Sequence, residues 1–168
     1  PDFESLVKQK LLQQSTTPLT ETKEKTVLRA VRVLLDVPPE ATAYKLSKLE
    51  PALIRALRGY SQDVQDGALR ALGRFGSADA LGPVSKKVSR EDISAELKTQ
   101  ACHTLAAILR RTGASPSSKV LQRIKSGLEH SQQGVREAAA EALGAAGLQP
   151  GRLLELKAEY SRLEPAGR

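Results

Sequence analysis

The side chains best equipped for chemistry in this 168-residue chain are few: one cysteine, Cys102, and two histidines, His103 and His130. Cys102 and His103 are adjacent. On a helix, neighbouring side chains point about 100° apart, so the two cannot serve each other as nucleophile and base. A lone cysteine in an alanine-rich helix reads as a small core residue. A metal site needs several His, Cys or carboxylate groups converging, and nothing here has zinc-like spacing. Gly73-x-x-Gly76 reads as a helix terminus rather than a phosphate cradle. Glu137 and Glu141, one turn apart, read as a solvated helix face. These residues predict a protein that is not an enzyme and that uses no cofactor and no metal. Charge and surface are left as the carriers of function.

The net charge is +7, and it is unevenly distributed. Residues 1–40 carry six basic and six acidic groups, and residues 131–168 carry five of each. The whole surplus therefore lies in residues 41–130, with fifteen Lys and Arg against eight Asp and Glu. A central basic surface attracts acidic proteins, nucleic acid or anionic membrane, or it serves only as a solvated face that keeps the chain soluble. No apolar run approaches the roughly 18 residues of a membrane span, and no signal-type segment is visible. A single cysteine forms no internal disulfide, so a cytoplasmic location is expected. The chain begins at Pro1 rather than Met, as a trimmed or processed product would.

Helices must position these charges. The chain has no Met, Trp or Asn, three Tyr and two Phe, so the core must come from Leu, Val, Ile and Ala. Apolar spacing predicts a first helix carrying Phe3, Leu6, Val7 and Leu11, and a second from Thr22 to Leu35 stopped by Val37-Pro38-Pro39. Thr17-Pro18-Leu19-Thr20, an ankyrin-like phrase without its His, reads as a loop. Leu46, Leu49, Leu53, Ile54 and Leu57 mark a third helix in which Pro51 starts a fresh turn or bends the axis. A fourth follows a cap at Ser61 or Asp63, a fifth a cap at Ser77, and a longer sixth carries Ile93 to Ile108. A seventh opens at Ser117, and the eighth closes at Gly147. Gly76 is expected to end its helix in the left-handed conformation, and Gly113 is the stop of the sixth. A last helix spans residues 150–163.

The phrase Val64-Gln65-Asp66-Gly67-Ala68-Leu69-Arg70-Ala71-Leu72-Gly73 returns, altered, as Val135-Arg136-Glu137-Ala138-Ala139-Ala140-Glu141-Ala142-Leu143-Gly144. A weaker copy stands between them at Leu97, Ala101, Thr104 and Leu105. The spacing predicts a repeat of roughly 35 residues, each a pair of helices. No such helix buries its apolar stripe alone, so the pairs must stack. The expected architecture is an all-α solenoid of about four antiparallel helix pairs plus a C-terminal helix. It forms one domain, 1–168, with repeats near 1–40, 41–76, 77–113 and 114–147.

Asp63-Val64-x-x-x-Ala68-x-x-Ala71-Leu72-Gly73 and Val135-Arg136-x-x-Ala139-x-x-Ala142-Leu143-Gly144 resemble the second helix of HEAT repeats. Leu49-x-Pro51-x-Leu53-Ile54-x-x-Leu57 resembles the first helix, including its proline. The short period is similar to the compact HEAT-like group that includes the phycobilin-lyase type. Tetratricopeptide repeats share the period but require an aromatic pattern absent here. Gln65 stands where the family has Arg, and Gly134 where it has an acidic residue, so the family's acidic–Arg ladder is interrupted.

The resemblance implies that second helices line a concave face. Aligned copies bring Arg32, Arg70, His103 and Glu141 to one equivalent position. Arg74 lies a turn beyond Arg70, and Lys98 and Arg136 share the position of Gln65. The candidate partner-binding residues are therefore Arg32, Arg70, Arg74, Lys98, His103, Arg136 and Glu141. They form either a basic docking row or a set of ordinary helix-surface ion pairs, such as Arg70 with Asp66. The leading expectation is a non-enzymatic scaffold that binds another protein with an acidic surface, as a monomer or as part of a larger chain or complex. The alternatives are a module that contacts the backbone of duplex nucleic acid and, from the lyase resemblance, an accessory protein in bilin attachment. The scarcity of aromatics argues against stacking on single strands.

Overall fold

The computed structural model describes residues 21–37 and 46–147. The helices expected around Phe3–Leu11 and over residues 150–163 lie outside the described residues. Seven α-helices are described: α1 (Glu21–Asp36), α2 (Glu50–Ala56), α3 (Gln62–Phe75), α4 (Leu81–Val88), α5 (Ala95–Thr112), α6 (Ser118–Leu128) and α7 (Gln133–Ala145). Short 3-10 turns, Leu46–Leu49 and Ala78–Ala80, lead into α2 and α4. No strand occurs among the described residues.

Three helix pairs, α2/α3, α4/α5 and α6/α7, stack beside α1. Packing follows two lines. The second helices α1, α3, α5 and α7 each lie against the next, and the first helices α4 and α6 lie against each other. The result is the expected all-α solenoid, a layer of first helices backed by a layer of second helices.

Small residues make this stacking close. Ala68, Ala71, Ala101, Ala106, Ala139 and Ala142 are fully enclosed, with Leu69, Leu72, Leu105, Ile108 and Ile124 filling the space between them. Each of those larger side chains contributes about 1.5–3 kcal/mol by leaving water. Two glycines act as the smallest packing residues. A Cβ on Gly67 would stand 2.7 Å from Val31 Cγ1, and one on Gly127 would stand 2.9 Å from the Ala139 Cβ. The α1–α3 and α6–α7 crossings thus have no room for a methyl group.

Local signals are partly as expected. Pro51 stands in the first turn of α2, so it opens a new helix rather than bending an old one. Ser94 and Ser117 cap α5 and α6 by accepting from Leu97 N and Val120 N. Ser77 caps the 3-10 turn that precedes α4, accepting from Asp79 N. Ser61 occupies the N-cap of α3 without a side-chain cap; its own N–H donates 2.7 Å to Glu24 Oε1 of α1. Ile93 lies half-buried in the corner before α5 rather than on the helix. Gly113 ends α5 as expected, with φ 61° in the left-handed region. Gly76 is not in that region, contrary to expectation: its φ is −66° and its ψ 148°. Its requirement is space, because a Cβ there would stand 2.6 Å from the Leu72 carbonyl oxygen.

Candidate functional site

The expected docking row lies on the second helices, and its side chains divide by what they already hold. Arg74 reaches back from α3 to the end of α1. Its guanidinium donates to the Leu35 carbonyl and, at 2.6 Å, to the Val37 carbonyl, and it lies 5.1 Å from the Phe75 ring centroid. The last carbonyls of a helix have no partner within it, and a cation there also meets the negative end of the helix dipole. Arg111, one repeat further on, does the same for α3 by donating to the Gly76 carbonyl. Arg111 was absent from the sequence-derived set. Its signal is the shared spacing of Arg74-Phe75-Gly76 and Arg111-Thr112-Gly113. The next copy, Ala145-Ala146-Gly147, has no arginine.

Arg136 is also engaged. Its Nη1 donates to the carbonyls of His130 (2.9 Å) and Ser131 (2.7 Å), which form the corner between α6 and α7. Gln65, at the equivalent position, does the same with Tyr60 O at 2.6 Å. The family's arginine is therefore replaced at this position by an amide that serves the same corner. Lys98, the third member, is 8% exposed, and its side chain makes no hydrogen bond among those described.

The remaining four members divide again. Arg32 and Arg70 are exposed. Arg70 Nε holds Asp66 Oδ2 at 2.7 Å, one turn away. His103 and Glu141 are brought together across α5 and α7: His103 Nδ1 stands 2.7 Å from Glu141 Oε2. Arg110, which the sequence reading omitted, donates to Glu141 Oε1 at 2.6 Å. It lies two turns beyond His103 on the same face of α5, which is the signal that would have found it. The Arg110 hydrogen bond, with that of His103, holds the Glu141 carboxyl below the usual carboxylate range.

Besides the bonds of His103 and Arg110 to Glu141, links between repeats run through Arg74 and Arg111, through Thr104 Oγ1 to Leu69 O at 3.0 Å, and through Glu50. The Glu50 Oε1 accepts from both Ser77 N (2.9 Å) and Ser77 Oγ (3.0 Å).

Cys102 is not placed as a nucleophile. It is fully buried, and that burial, with Glu141 nearby, pushes its thiol up to about 12. A thiol so placed is not the thiolate that reacts. No group of three or more His, Cys, Asp or Glu among the described residues converges as metal ligands would. No described helix is long and apolar enough to cross a membrane.

Stacked antiparallel helix pairs, with first and second helices in separate layers, define an α-solenoid repeat protein. The sequence pattern of HEAT repeats matches residues 49–144, more than half of the chain, and the chain belongs to that family. A comparison with curated proteins gives no match. HEAT repeats generally serve as scaffolds for protein–protein interaction, and the family is typically non-catalytic.

Proposed function

We propose that this chain is a non-enzymatic scaffold of the cytoplasm that binds a protein partner through the exposed face of its second helices. One observation carries the reading. The second helices form one continuous layer, and the positions at which the repeats differ most, Arg32, Arg70, His103 and Glu141, carry its exposed or half-exposed polar groups. A partner with acidic groups over α1 and α3, and a more polar surface over α5 and α7, complements this row. Arg32 and Arg70 supply the positive end, and the His103–Glu141–Arg110 cluster a nearly balanced one. Arg74, Arg111 and Arg136 belong to the fold in this reading, and the buried Lys98 is left out of the row.

The repeats near 1–40, 41–76, 77–113 and 114–147 would act as one interaction domain. The test is affinity capture on the full chain, followed by the double charge reversal Arg32→Glu/Arg70→Glu. Both side chains are exposed, so the variant should melt like the parent chain and lose the partner. Undiminished capture by the folded variant would overturn the reading. The duplex-binding alternative is favoured by the fifteen-to-eight surplus of basic residues in 41–130. Titration with DNA at about 50 and 200 mM salt tests it, since backbone binding must weaken steeply across that range.

A further inference from the structure

Away from the second-helix layer, a groove of about 370 Å³ opens between α2 and α4. Its apolar lining is Ile54, Leu57 and Pro83, and its cations are Arg58, Lys86, Lys87 and Arg90. Lys87 is 4% exposed, and its Nζ has one hydrogen bond, 2.5 Å to Gln65 Oε1. An ammonium carries three donors, so two have no protein acceptor among the described residues. A buried charge ordinarily has an ionic partner, because desolvation without one is costly. Burial, with Arg90 and Arg58 beside it, lowers the Lys87 pKa from the usual lysine value. Arg58 and Lys86 make no side-chain hydrogen bond or ion pair among those described. Only Arg90 has a carboxylate, Asp92, whose Oδ1 accepts from Nε at 2.7 Å.

The local charge can be weighed. Four cations meet one carboxylate and the C-terminal ends of α2 and α4, each end worth about half a negative charge. About two positive charges remain unmatched. We infer that this groove is a docking site for an acidic peptide segment of a partner protein, with an aliphatic side chain seated on Ile54, Leu57 and Pro83 between carboxylates held by Arg58, Lys86 and Lys87. The apolar floor and the volume, several side chains' worth, favour such a segment over a bare phosphate. A nucleic-acid backbone has no group to cover that floor, and no aromatic lines the groove for a base to stack on. The site lies in the other layer from the row above, and it stands whether or not that row binds.

The probe is a fluorescently labelled, end-blocked peptide of sequence Glu-Asp-Leu-Glu-Asp, titrated by anisotropy against the full chain. Saturable binding is expected at about 50 mM salt, weakening as screening increases. The exposed pair Arg58→Glu/Lys86→Glu should weaken it at least about tenfold, with an unchanged melting curve. Lys87→Met should weaken it as well, whereas Arg32→Glu/Arg70→Glu should leave it unaltered. Replacing the peptide's Leu with Ser should also reduce affinity. Absence of saturable binding at the lower salt would overturn the inference. So would full binding by the folded Arg58→Glu/Lys86→Glu variant, or equal affinity for the Ser peptide. A DNA duplex that displaced the peptide, and bound more tightly than it, would reassign the groove to nucleic acid.

Discussion

The two layers of the solenoid use their cations differently. In the second-helix layer, Arg74 and Arg111 close the ends of preceding helices, Arg136 closes a corner, and Arg70 and Arg110 hold carboxylates. In the first-helix layer, Arg123 of α6 donates to Gly82 O and Ser85 Oγ of α4, but Arg58, Lys86 and Lys87 line one groove with no carboxylate bonded to them. A basic surplus read from composition is thus not a basic surface. What an approaching anion meets is the charge left after helix ends, corners and ion pairs have been satisfied. That remainder is larger between α2 and α4 than along the row the repeat alignment singles out.

The sharpest way to break the comparison is to remove one engaged and one peripheral arginine from the same helix. Arg74→Ala should lower stability by about 1.5–3 kcal/mol, because two carbonyls at the end of α1 lose a charged donor. Arg70→Ala, one turn earlier, should cost no more than about 0.5 kcal/mol, as an exposed i,i+4 pair. Urea denaturation of both variants checks this. Equal costs would mean that the guanidinium of Arg74 is not part of the fold, and the second-helix layer would lose its clearest engaged cation.

Much of this architecture is legible in the residues themselves. Val64, Ala68, Ala71 and Leu72 recur with the helical period because each must face the neighbouring repeat, and all four are buried. Ser94 and Ser117 cap their helices because a short hydroxyl reaches the free amides of the first turn. Function is less legible, because it depends on which groups remain unpartnered, and partners come from other repeats. His103 and Glu141 meet across 38 positions, and Arg74 finds the end of α1 39 residues back. Arg70 and Arg74 look interchangeable along one helix, yet only one of them reaches the preceding repeat. The groove escapes the alignment for a similar reason. Arg58 and Arg90, about one repeat apart, lie just past the ends of first helices, and the conspicuous phrases belong to the second. Gly76 shows the same limit locally: the residue type is right, but clearance from a carbonyl, not handedness, demands it.

A buried lysine retained for docking should be a burden on the fold. Lys87→Met keeps most of the apolar stem, removes the unmatched charge and leaves Gln65 free to bond water. It should raise stability by about 1 kcal/mol while weakening the acidic peptide. The same denaturation assay reads the first effect and the anisotropy titration the second. A destabilised Lys87→Met would show that the Lys87–Gln65 bond holds the repeats together, which would move this cation into the engaged class.

The smallest effect concerns Glu141, the carboxylate of the second-helix layer that bonds both Arg110 and His103. Glu141 has a depressed pKa, chiefly from the Arg110 hydrogen bond and then from His103. Its ionised form is therefore favoured in the folded chain. The stabilisation is present above the carboxyl's unfolded value and is lost as the pH falls through its folded one. The side chain is 34% exposed, so solvent screening limits the size: Glu141→Gln should cost about 0.2–1 kcal/mol at pH 7. The gap between the two chains should then close as the pH falls below about 4.5. Parallel urea titrations at pH 7, 5 and 3.5 measure it. A gap that persisted at pH 3.5 would mean that Glu141 acts by shape rather than charge. The α5–α7 end of the layer would then be more positive than its ion pairs suggest, and the contrast with the α2–α4 groove would narrow.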